Sequence, residues 1–157
     1  MMSRVQKGMV AGLAATGAVS LLELGNLAVG SPVMAFPAFI AETIGMRGNL
    51  LVGWAAHLLI GTLVLGSGFG FLYAKLPTHT AATRGIVYAV GAFVVLLVGI
   101  FMVGDPRMFS GTDGFGTVAW MLITHAVFGI VLGSIYGTLV AREKREMKSM
   151  GGAAPAH

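Results

Sequence analysis

Three side chains able to carry charge lie deep inside otherwise apolar stretches of this sequence: Glu23, His57 and His125. An ionisable group is costly in hydrocarbon, so each is expected to have a partner and a purpose. Imidazoles on facing helices can take both axial positions of a haem iron. Two imidazoles and a carboxylate also make a three-ligand set for a small metal ion, with one position open. The same groups relay protons in pumps and transporters, and neutral histidines act as interhelical hydrogen-bonding groups worth about 1 kcal/mol each. The residue types alone leave all four chemistries open.

The elements that must position these groups follow from composition. Of 157 residues, 56% are hydrophobic and only 10% charged, against roughly 25% charged in a soluble domain. A chain this short exposes much of its area, and sixteen charges cannot cover it in water. The mean hydropathy of +0.86 points to lipid as the solvent. Four apolar runs, at approximately 8–30, 50–74, 85–103 and 117–141, are each long enough to cross a core about 30 Å thick at about 1.5 Å per residue. The predicted class is an all-α membrane protein: a four-transmembrane-helix bundle over 1–145 and a disordered basic cytoplasmic tail over 146–157. Within the runs, the three polar groups fall at one depth, roughly 10 to 13 Å below the outer surface. Residues four apart share a helix face. His125 continues into Gly129, Gly133 and Gly137, His57 into Gly61, and Gly8, Gly12, Thr16, Ser20 and Glu23 form one stripe. All three groups are therefore expected to face the bundle interior. The third run has no polar stripe and is expected to face lipid or a partner.

Basic residues set the orientation. The N-terminus (Arg4, Lys7), the second connection (Lys75, Arg84) and the tail (Arg142, Lys144, Arg145, Lys148) hold eight of them, against one each in the first and third connections, Arg47 and Arg107. The positive-inside rule then places both termini in the cytoplasm of a bacterial inner-membrane, multi-pass protein. The basic tail is expected to contact anionic lipid, with no role for nucleic acid. The stretch from Pro37 to Met46 in the first outer connection is expected to form a short interfacial helix on the outer surface.

The two halves also resemble each other. Lys7-Gly8-Met9-Val10 answers Arg84-Gly85-Ile86-Val87, Val29-Gly30-Ser31-Pro32-Val33-Met34 answers Val103-Gly104-Asp105-Pro106-Arg107-Met108, and His57-x-x-x-Gly61 answers His125-x-x-x-Gly129. This order predicts a duplicated hairpin, both copies starting in the cytoplasm, related by a pseudo-twofold axis along the membrane normal. The first run, preceded by Arg4 and Lys7, could pass for a signal peptide. Its internal counterpart argues that it is retained.

Such a repeat supplies two equivalent imidazoles for haem b, His57 and His125, with Arg47 and Arg107 available to its propionates. The small-metal alternative uses His57, His125 and Glu23. No cysteine is present, so thiolate sites and disulfides are excluded. Phosphate-binding loops, H-E-x-x-H and nucleophile elbows are missing, and no enzymatic activity is expected. The expected function is thus haem-based electron transfer or redox sensing. The alternative is a structural or accessory subunit of a larger membrane complex, or a homodimer, with the histidines as hydrogen-bonding groups. At Ala11-Gly12-Leu13-Ala14-Ala15-Thr16, Gly53-Trp54-Ala55-Ala56-His57, and His125 through Gly129, Gly133 and Tyr136-Gly137, the chain resembles a family of small bacterial four-helix membrane proteins of unknown function. That resemblance implies the fold and assigns no activity.

Overall fold

The computed structural model describes residues 1–103 and 111–151. Five helical elements follow in order: α1 (Arg4–Ala28), α2 (Phe36–Thr43), α3 (Leu50–Lys75), α4 (Ala81–Val103) and α5 (Gly111–Gly151). All but α2 are long and apolar enough to cross a membrane. Among the described residues no strand occurs. Local signals set the starts. Ser3 and Gln6 form a reciprocal capping box at α1 (3.1 and 2.8 Å), and Asn49 caps α3 through Val52 N–H (3.2 Å).

Burial is inverted relative to a soluble protein. Leu21, Leu51, Phe71, Val95 and Met102 point outward, while Thr16, Glu23, Thr124 and both intramembrane histidines are buried. Each long helix packs through its small residues. On α1 the inward stripe is Gly8, Ala11, Gly12, Ala15, Thr16, Val19 and Glu23, close to the stripe read from sequence. Residue α4 positions Ala89, Phe93 and Ile100 face inward, and its other side, with Val94, Val95, Val98 and Phe101, is exposed.

Helix α3 is not uniform. It is α-helical over Leu50–Leu59, π-helical over Ile60–Gly66, α-helical again over Ser67–Leu72, and ends as a 3₁₀ turn, Tyr73–Lys75. In an α-helix Gly61 and Gly66, five apart, would point in different directions. The π segment closes i→i+5 turns and brings them to one side. A Cβ added to Gly12 would meet both the Gly61 carbonyl and Gly66 Cα at 2.7 Å.

Two expectations are corrected. The helix at Phe36–Thr43 does not lie on the outer surface: Phe39, Ile40 and Ala41 are buried and a Cβ on Gly53 would overlap the Pro37 carbonyl. After α1 the chain turns at Gly30 (φ 61°) and dips back into the bundle. Irregular backbone at that depth needs partners, and side chains supply them. Asn26 donates to Val33 O (3.1 Å), Thr117 Oγ1 accepts from Met34 N (3.2 Å), and Glu23 accepts from Phe36 N (3.0 Å). The second correction concerns the tail. Helix α5 continues past 145 to Gly151, because Arg142 and Glu146 pair at i,i+4 (2.9 Å) and Glu143 is anchored to Lys7 on α1. Residues 152–157 lie outside the described set.

Exposed pairs contribute little. Arg47 binds Glu42 with the arginine side chain 81% exposed, so Arg47→Gln is expected to change unfolding stability by less than about 1 kcal/mol in a denaturant titration.

Candidate functional site

Glu23, His57 and His125 are 0%, 5% and 8% exposed, and all three converge on one residue, Phe36. Helix α2 begins at Phe36 with no side-chain cap of its own, since Ala35 occupies the N-cap. The Glu23 carboxylate takes that place from α1. Its Oε2 accepts from Phe36 N–H at 3.0 Å and its Oε1 from Trp120 Nε1 at 3.1 Å. A negative group is favourable at the positive end of a helix dipole. Glu23 thereby ties α1, α2 and α5 together.

The two imidazoles hold the Phe36 ring. His57 meets it edge-on with centroids 5.6 Å apart (79°), and His125 does so at 5.5 Å (85°). Trp54 braces His57 (5.7 Å), Phe93 lies against His125 (5.2 Å), and Phe39 stacks on Phe36 (5.9 Å).

The hydrogen bonds of the histidines fix their chemistry. His125 Nδ1 lies 2.7 Å from the Met121 carbonyl. A carbonyl only accepts, so Nδ1 carries the proton and Nε2 of the neutral ring carries a lone pair. His57 Nε2 is buried without a hydrogen-bond partner among the described residues. Both rings border a cavity of about 20 Å³, together with Phe36, Gly61 and Thr124. That volume admits one water-sized group. Beyond Phe36 lies an apolar groove of about 420 Å³ between α2, α3 and α4, lined by Phe39, Ile40, Ile60, Leu65 and Leu96 and reaching His125.

Residues 2–147 match a family of unknown function, DUF6789. The chain belongs to that family. It is also 33% identical over 127 residues to a UPF0761 membrane protein of Aromatoleum aromaticum, an alignment that covers 72% of this chain and 30% of that protein. The chain therefore spans less than a third of that relative. No solved structure matches. With four apolar spans and a relative named as a membrane protein, this family member is a multi-pass integral membrane protein.

The site differs from the sequence expectation in three respects. Glu23 is engaged by Phe36 and Trp120, and among the described residues no three His, Cys, Asp or Glu side chains come together to hold a metal ion. The three-ligand metal reading with Glu23 is dropped for that reason. Arg47 pairs with Glu42 and does not join the histidines, while Arg107 lies outside the described residues. The hydrogen bond of His125 is not interhelical: it runs within its own helix, to the Met121 carbonyl. Phe36 itself was not singled out from sequence. Its one signal is the Phe36-Pro37 pair, since proline within a first helical turn marks a helix start.

Proposed function

We propose that this protein is a non-catalytic integral protein of the bacterial cytoplasmic membrane, with both termini inside, that binds haem b through His57 and His125 for electron transfer or redox sensing. The observation that carries the reading is the state of the two imidazoles. His125 is held through Nδ1 at the Met121 carbonyl, His57 has a buried Nε2 without a partner among the described residues, and both rings border the same small cavity. Metal-ligating histidines are ordinarily oriented by a second-shell bond of this kind, which fixes the tautomer and raises ligand basicity. Two apolar walls of the adjoining groove, Ile60 and Leu65, also border the cavity, so withdrawal of the Phe36 ring joins the two spaces. Phe36 is thus the gate, and Glu23 sets its position through the backbone. Haem, when bound, would supply a one-electron couple, and His57 and His125 would hold it within an apolar shell.

Phe36→Ala tests the gate. Titrated with haemin, this variant is expected to bind at least as tightly as wild type, because the ring that fills the entrance is gone and both imidazoles remain. Weaker binding by Phe36→Ala at unchanged helicity would contradict the gate.

The orientation rests on the eight-to-two distribution of basic residues. The parallel repeat rests on the matched motifs of the two halves; both helix pairs have a glycine seam, but Gly8 meets Gly66, five residues beyond Gly61, the counterpart of the Gly129 that meets Gly85. The cysteine-free chain makes orientation simple to test: single cysteines at Ser3 and Ser149 are expected to resist a membrane-impermeant thiol reagent in intact cells, and labelling of either would reverse the topology. A second reading, an accessory subunit, is favoured by the exposed apolar face of α4; native co-purification of a fixed partner would select it.

A further inference from the structure

At the end of the bundle that carries both termini, the helices border a second, open cavity of about 320 Å³. Its wall includes Arg4 and Lys7 from α1, Arg84 from α4, and Lys144 from α5, with Glu143 as its one carboxylate. Four cations therefore face one anion. Glu143 is taken by Lys7, whose side chain is 9% exposed. Arg84 is held in place by its Nε bond to Thr78 O (2.9 Å) and by stacking over the Tyr73 ring (4.7 Å). A bond through Nε leaves the two terminal nitrogens of its fork for another acceptor. Tyr73 and Tyr136, 4.4 Å apart, form the floor.

Like charges gathered around one cavity repel unless an anion joins them. We propose that this cavity binds the phosphate of an anionic phospholipid. The chemistry of recognition is that of any phosphate, a forked guanidinium with lysines around it. The surroundings select the lipid. Lys144 is shared with a shallow groove of about 510 Å³ that runs along Ala81, Ser134, Gly137 and Val140, from the charged rim toward the apolar part of α5. A phosphate seated among the cations thus leaves a path for a glycerol backbone and acyl chain. Basic pockets between transmembrane helices are established sites for such head groups.

The test uses the full chain in neutral detergent, with native mass spectrometry and thermal unfolding as readouts. Phosphatidylglycerol is expected to bind saturably and to raise the unfolding temperature, and phosphatidylcholine to do neither. Arg4 and Lys144 are both exposed, so Arg4→Gln and Lys144→Gln are expected to fold normally and to weaken phosphatidylglycerol binding about fivefold each. Arg84→Gln is expected to weaken it further, and high salt to do the same. Inorganic phosphate binding as tightly as phosphatidylglycerol would overturn the lipid as the source of the anion. Equal retention of both lipids, or unchanged affinity in the Arg4→Gln/Lys144→Gln double variant, would overturn the site.

Discussion

Glu23→Ala is expected to destabilise the bundle by about 2 to 4 kcal/mol, because two half-buried donors lose their acceptor at once and each orphaned group costs about 1 to 2 kcal/mol, the lower part of the range for a fully buried one. The donors are the Phe36 N–H at the start of α2 and the Trp120 indole on α5. The carboxylate itself is fully buried, so no neighbouring side chain takes its place without rearrangement. Loss of the cap also frees Phe36 from between its aromatic and imidazole neighbours. Glu23→Gln is expected to fall between wild type and alanine, since an amide oxygen can serve one donor while its NH₂ confronts the other. Denaturant titration gives the stability, and in a Trp54→Phe background the emission of Trp120 reports the lost hydrogen bond. Wild-type stability and unchanged emission in Glu23→Ala would remove Glu23 from its capping role.

A single methyl group placed between α4 and α5 is expected to have an effect of similar size. A Cβ on Gly85 would overlap the Gly129 carbonyl, and a Cβ on Gly129 would meet the Gly85 carbonyl at 2.5 Å. The obstacle is backbone on both sides, which no rotamer change relieves, so the helices must part. Overpacking of this kind costs about 1 to 3 kcal/mol and at times more, and here parting also loosens His125, one turn before Gly129. Gly85→Ala is therefore expected to lower stability and weaken haem binding together. Gly91→Ala is the control on the same helix. A Cβ there meets nothing within 4 Å among the described residues, and its effect should stay within about 0.5 kcal/mol. Equal effects of the two substitutions would mean that the glycine seam is not what sets the α4–α5 distance.

The four spans were legible because each is a long apolar run bounded by charge, and lipid permits little else but helices. The inward direction of Glu23, His57 and His125 was legible from their small neighbours at helical spacing. What they touch was not. His125 and Glu23 are separated by an entire fold in sequence, and the residue that joins them, Phe36, sits in a segment read as an outer connection. A re-entrant path is set by tertiary hydrogen bonds from Asn26, Thr117 and Glu23, which leave no periodic trace. The π segment did leave one: Gly61 and Gly66 are five apart where Gly129 and Gly133 are four apart. That extra residue is the mark of a π turn. The full length of α5 is hidden in the sequence because its last turns carry charge, which marks the end of the apolar run and not the end of the helix.

The central claim is that His57 and His125 are paired ligands of one haem. The most direct measurement is the absorption spectrum of the protein purified from a haem-replete host, with reduction by dithionite and with His57→Ala and His125→Ala alongside. A Soret band with sharp reduced bands in wild type, lost in both variants at unchanged helicity, is the expected result. A colourless wild-type protein that also fails to take up added haemin would contradict the claim.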